Sequence, residues 1–280
     1  MIGQPKTPSH PATILGRSGA VLYVLFIGLP VFALLAQAAQ QSNFLIAVTG
    51  DTALTALRLS LFTSVISIGV VVLLGTPFAY LLARSESTWA RAVDSLVELP
   101  LILPPVVAGV AMLMAFGRNG LIGTGLESIG LTIPFTTTAV VLAQIFVASP
   151  FFIRSAKLGF QSVAKDFEDV AQTLGVSPTM TFFRITLPLA SPAMVTGLAL
   201  AWARALSEFG ATMMFAGNLT GETQTMPLAI MSAMETSLDN ALALSLILLA
   251  GSILVLVPVS YTHLRAHETR HDLVCRLLLE

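Results

Sequence analysis

Runs of apolar residues near twenty in length alternate with short polar segments along this chain. Residues 59–83 and 240–263 carry no charged side chain at all. Runs of this length are long enough to cross the hydrocarbon core of a bilayer. In lipid a segment must satisfy its own backbone groups, so the runs are read as helices. The pattern predicts six spans, at roughly 20–39, 59–83, 96–116, 133–154, 188–208 and 240–259. The fourth contains Gln144, and the fifth contains Trp202 and Arg204, polar content that fits helices facing a bundle interior. Residues 209–232 begin apolar, turn polar through 218–225 and become apolar again. They are read as a helix end, a loop and a short re-entrant or interfacial piece.

Composition strengthens this picture. Charged residues are 10% of the chain, mean hydropathy is +0.85 and net charge is -1. Soluble domains carry about 25% charged residues. No basic face points to nucleic acid. With the N-terminus inside, the inner segments hold Lys6, Arg17, Arg84, Arg91, Arg154, Lys157, Lys165 and Arg184, and the outer ones Arg58 and Arg118. That bias places both termini in the cytoplasm. The first apolar run has no small-residue cleavage site and is read as a retained span. The expected organisation is a cytoplasmic segment 1–19, a transmembrane domain 20–259 with a cytoplasmic loop 155–187, and a tail 260–280 of different character.

The loop 155–187 is polar but helical in period. Phe160, Val163 and Phe167 recur at three- and four-residue spacing, and Val170, Ala171 and Leu174 continue the series. Gly175 ends or bends that helix, and Ser177-Pro178 starts another. Such a pair can form a docking knob or can merely reconnect two spans.

Asp169-Val170-Ala171, then Gly175, then Ile185-x-Leu187-Pro188, resembles the cytoplasmic signature of bacterial ABC-importer permeases. Its usual form is Glu-Ala-Ala, three residues, Gly, nine residues, Ile-x-Leu-Pro. Asp169 and Val170 depart mildly from it, and Glu168 beside Asp169 blurs which acid takes the part. The resemblance covers about 15–259 and implies an all-α polytopic fold, the type I ABC importer transmembrane subunit with about six helices. It also implies a multi-pass place in the bacterial inner membrane. The implied partners are a second permease copy, a cytoplasmic ATPase dimer that binds ATP and Mg, and a periplasmic oxyanion-binding protein. Asp169, Val170, Ala171, Gly175, Ile185, Leu187 and Pro188 would couple to the ATPase. Ala171 would keep a helix face low for a partner, and Phe182 and Phe183 would anchor the interface, although both also suit lipid or core packing. There is no Gly-x-x-x-x-Gly-Lys-Ser/Thr loop, so the chain is expected to be a non-catalytic subunit without a cofactor of its own.

Two further segments narrow the resemblance. One is Leu99-Pro100-Leu101-Ile102-Leu103-Pro104-Pro105 with Phe116-Gly-Arg-Asn-Gly-Leu-Ile-Gly123. The other is Glu208-Phe-Gly-Ala-Thr212, Ala216-Gly-Asn218 and Gly221-Glu-Thr-Gln-Thr225. Together they are similar to the molybdate and tungstate branch of oxyanion importers. Sulfate permeases share the Pro-Pro and Glu-Phe-Gly stretches but usually lack the Gly-Glu-Thr-Gln-Thr run. Pro104 and Pro105 should bend span three, either to shape a pathway or as static packing. Arg204 and Glu208 lie one turn apart and can pair. An acid is a poor ligand for a dianion, so Glu208 is read as structural or gating. Thr212, Asn218 and Thr225 offer neutral donors to a passing anion.

The competing classes are weaker. A membrane-embedded enzyme needs acids, histidines or a nucleophile set within the spans. A gradient-driven secondary transporter tends to carry buried acids on interrupted helices, for which Glu208 is the only support. Residues 260–280 resemble translated adaptor sequence and are read as a non-native tail. His263, His267 and His271 recur at four-residue spacing there, but nothing around them supplies supporting partners, and no metal site is assigned. Cys275 alone excludes an intrachain disulfide.

Overall fold

A computed structural model describes residues 11–40 and 44–254, and these are entirely helical and irregular. The helices are α1 (Pro11–Ala39), α2 (Phe44–Thr49), α3 (Asp51–Arg84), α4 (Thr88–Ile102), α5 (Pro105–Phe116), α6 (Gly123–Ser128) and α7 (Thr137–Ser162). They continue with α8 (Lys165–Thr173), α9 (Pro178–Thr181), α10 (Leu187–Leu206), α11 (Gly210–Ala216), α12 (Met226–Thr236) and α13 (Leu238–Leu254). A π turn, Phe182–Thr186, joins α9 to α10. Pro188 explains that turn: it has no N–H for the Arg184 carbonyl, and its ring presses on that carbonyl. The backbone widens by one residue and continues, so Pro178–Leu206 is one long apolar helix.

The expectation of six spans is met only in part. Among the described residues four helices are long and apolar enough to cross a membrane: Ser18–Ala39, Asp51–Arg84, Thr137–Ser162 and Pro178–Leu206. A fifth appears if α4 and α5 count as one span. Span three is therefore not a single bent helix. The chain turns by 118° between α4 and α5, and Pro104 and Pro105 cap and open α5 at the break. The sixth expected span corresponds to α13, shorter than the other four, and residues 255–259 lie outside the described region, as does the tail 260–280. The polar loop is also shorter than expected. α7 runs to Ser162 and the next long helix begins at Pro178, so Phe160 lies in α7 and Val163 caps its end, and neither is in the docking helix.

α7 is the centre of the bundle, with α3 and α10 packed along it. Small side chains allow this: Ala143, Ala148, Ala156, Ala190, Ala201 and Ala205 are all at most 1% exposed. Around them pack Phe152, Phe160, Ile68 and Val71. A stripe of hydroxyls on α3 supplies the polar joints. Ser67 donates to Gln144 Oε1 on α7 at 2.9 Å, Trp202 Nε1 on α10 donates to Ser64 at 3.0 Å, and the Met226 N–H on α12 donates to Ser60 at 2.7 Å. All but the half-buried Trp202 are buried, and a buried polar group is costly without its partner.

α4 is amphipathic, and its acids face α7: Lys157 Nζ donates to Asp94 at 2.6 Å, and Arg154 lies 3.9 Å from Glu98. α1 differs from every other long helix. Residues 18–33 are all exposed, so its apolar surface faces away from this chain's own core.

Candidate functional site

The signature segment forms an elbow at the end of the bundle where α3 ends and α10 begins. α8 stops in a Schellman turn: the Gly175 N–H donates to the Gln172 carbonyl at 2.9 Å and the Val176 N–H to Ala171 at 3.0 Å. Gly175 has φ +83°, a conformation that costs an L side chain energy, and a Cβ there would meet nothing within 4 Å. Its glycine serves the backbone turn, not a close approach. Ser177 then caps α9 by accepting the Met180 N–H, with Pro178 in the first turn.

The two neighbouring acids part company here. Asp169 and Val170 are exposed, and no hydrogen bond or ion pair of the Asp169 carboxylate is found among the described residues. Glu168 points inward. Its carboxylate accepts from Arg84 Nη2 at the end of α3, from Thr186 Oγ1 at 2.9 Å and from Tyr80 Oη at 3.3 Å. Arg84 also donates through Nη1 to the Val163 carbonyl at 3.2 Å. Ala171 is buried against its own chain, so it does not present the low face expected for a partner. Phe182 likewise turns inward, with its ring 5.0 Å from Tyr80 and 5.9 Å from Phe160. Beside the exposed polar Lys165, Asp166, Asp169 and Gln172, apolar side chains also face outward: Phe167 and Val170 on α8, Leu174 at its cap, and Met180 and Phe183 across the elbow. Ile185 and Leu187 are half-buried and Pro188 is exposed.

The pathway candidates lie toward the opposite end. Arg204 Nη2 is 2.6 Å from Glu208 Oε2, but the contact is not aligned along an N–H bond, and it is ionic in character. Glu208 is wholly enclosed, and its Oε1 accepts the Ala211 N–H at 2.8 Å, capping α11. α11 lies against α5 at backbone distance. A Cβ on Gly210 would fall 2.7 Å from Pro105 Cβ, and one on Gly109 2.6 Å from Met214 Cβ. Pro104 and Pro105 are themselves exposed. The Gly-Glu-Thr-Gln-Thr run is folded inward: Thr223, Gln224 and Thr225 are buried, and Thr223 Oγ1 accepts the Leu219 N–H at 2.9 Å. Asn218 donates to Ser232 at 2.9 Å, close to a cavity of about 700 Å³ whose lining mixes Thr220, Gln224, Ser232, Thr236 and Asn240 with the apolar Ala229 and Leu244. Thr212 Oγ1, Asn218 Oδ1 and Thr225 Oγ1 are buried without a hydrogen-bond partner among the described residues. Buried oxygens of this kind are available to water or to a passing solute.

Sequence reasoning missed three features. Arg84 was read only as a topology-setting charge, Tyr80 and Thr186 were not singled out, and the hydroxyl stripe went unnoticed. The stripe had a signal: Ser60, Thr63, Ser64 and Ser67 recur on one helical face of an otherwise apolar span. Among the described residues no group of three or more His, Cys, Asp or Glu is arranged to hold a metal.

The described chain is a helical bundle, with four helices long and apolar enough to cross a membrane and a short helical elbow at one end. The sequence matches the model of the binding-protein-dependent transport system inner membrane component over residues 75–269. The chain belongs to that family and is an ABC-transporter permease of the molybdate/sulfate type. It is 44% identical to the molybdenum transport system permease protein ModB of Mycobacterium tuberculosis, over 89% of this chain and 96% of that one. It is 35% identical to the sulfate transport system permease protein CysW of Synechococcus elongatus, over 94% and 92%. A crystal structure of a bacterial alginate ABC transporter contains a chain of the same fold, with a TM-score of 0.72 at 17% identity, covering 90% of this chain and 93% of that one. The chain is thus a multi-pass membrane protein whose family works in binding-protein-dependent transport.

Proposed function

We propose that this chain is the permease of an ATP-driven importer of molybdate or tungstate, working as a homodimer with its N-terminus in the cytoplasm. The observation that carries the substrate is the higher identity to a molybdenum permease, 44% against 35% for a sulfate permease. The elbow of α8, Gly175 and α9 is the surface offered to a separate ATPase, which would hold ATP and Mg. Its exposed Phe167, Val170, Leu174 and Phe183 supply apolar anchors, and the exposed Asp169 supplies a charge at their edge. ATP-driven closure of that partner would move α3, α7 and α10 as a unit. The uncovered face of α1 is where a second copy would pack.

On the opposite side, a binding protein would deliver the oxyanion. Arg204 is neutralised by Glu208, and Thr212, Asn218 and Thr225 offer neutral groups, so the path holds a dianion weakly and lets it leave. Residues 260–280 contribute nothing to transport, and a chain ending at Val259 should keep full uptake.

The deciding experiment is uptake into vesicles holding this chain with its ATPase and binding protein, supplied with ATP and offered molybdate, tungstate and sulfate separately. Accumulation of molybdate or tungstate alone supports the proposal. Accumulation of sulfate alone would keep the mechanism and assign the sulfate reading, and no ATP-dependent uptake by an assembled complex would overturn both.

A further inference from the structure

We propose that Glu168 and Arg84 form the joint that transmits motion between the α8 elbow and the membrane helices, with Asp169 beside them left free for the partner. The inference rests on the docking role proposed above for the elbow. Signature spacing selects Asp169, yet the structure ties the chain together through its neighbour.

α8 has only nine residues, too few to hold its position by helix stability alone. A push on its exposed side chains would tilt it unless its inner face were fixed. That face consists of Ala171 and Glu168, one turn apart. Ala171 gives contact but no directional hold. Glu168 gives direction: one carboxylate takes donors from Arg84 and Tyr80 on α3 and from Thr186 in the π turn that leads into α10. Arg84 adds the C-terminal cap of α7 through the Val163 carbonyl. Two membrane-crossing helices thus meet directly at one acid on the docking helix, and a third joins through Arg84. The two side chains are 16% and 12% exposed, so water screens the pair little, and loss of either charge strands the other.

Three variants in the vesicle system separate this joint from a purely structural role, with uptake and ATP hydrolysis both measured per assembled complex. Glu168→Gln should lower molybdate moved per ATP hydrolysed about tenfold, the consequence of removing one charge of a shielded pair. Thr186→Val, which removes a single donor, should lower it about twofold. Glu86→Gln, which removes an exposed charge two residues from Arg84, should leave the ratio within about twofold, since an exposed charge contributes little to internal structure. An unchanged ratio in Glu168→Gln, or an equal or larger loss of ratio in Glu86→Gln, overturns the joint. So does a fall in uptake that only tracks lost assembly. A second readout does not depend on transport. In the purified chain without partners, Glu168→Gln should speed amide exchange across α8 about tenfold, and unchanged exchange there overturns the joint even if the importer reading stands. Failure of the wild-type complex to import any of the three oxyanions would instead strike the docking reading.

Discussion

At one end of the bundle Glu168 gathers donors from α3 and from the turn before α10. At the other, Glu208, just past the end of α10, meets Arg204 in the last turn of α10 and caps the short helix that follows. Both are shielded acids paired with arginine, but the first links elements 84 residues apart and the second finishes a local turn. A long-range pair can carry force between elements, while a local pair fixes where a helix ends and keeps its arginine from holding an anion. The difference also shows in redundancy. Among the described residues Glu168 has three side-chain donors, and Glu208 Oε2 has only Arg204.

The largest effect should come from breaking the less redundant pair. Arg204→Ala leaves a wholly enclosed carboxylate with one uncompensated oxygen, and it should cost about 3–5 kcal/mol, read as thermal unfolding in detergent. Arg84→Ala leaves Glu168 with Thr186 and Tyr80, and should cost about 1–3 kcal/mol in the same assay. Equal losses for the two would erase the distinction drawn between the acids. Gly175→Ala forces an L side chain to φ +83° in open space and should cost about 1–2 kcal/mol. Because nothing clashes, the variant should still insert in the membrane, with a loosened elbow visible as lower uptake per ATP hydrolysed. The smallest effect on stability belongs to Phe183→Ala. Its ring is exposed, so stability should hold within about 0.5 kcal/mol while co-purification of the ATPase falls. A large loss of stability with intact co-purification would move Phe183 from the docking surface into the fold.

Much of the architecture was legible along the chain because its signals are local. Apolar run length marked the long helices, Ser177-Pro178 marked a helix start, Gly175 marked a stop, and the spacing of Arg204 and Glu208 marked a pair. The elbow was only partly legible. Phe160, Val163, Phe167 and Val170 share one helical period, but the chain breaks between Ser162 and Lys165 and puts the first two into the core and the last two outside. Phe182 and Phe183 read alike, yet one joins Tyr80 and Phe160 and the other does not.

The sequence by itself determined that this is a helical membrane protein with a permease signature, since hydropathy and motif spacing need no distant partner to be read. Only the tertiary structure decided that Glu168, not Asp169, faces the bundle. It also decided that Ala171 is buried by its own chain, that α4 and α5 part by 118°, and that the α3 hydroxyls join α7, α10 and α12. Each of these depends on which surfaces meet across long stretches of chain. Side chains a residue apart on a helix differ by about 100° in direction, and only the packed neighbours fix which of two adjacent acids is enclosed.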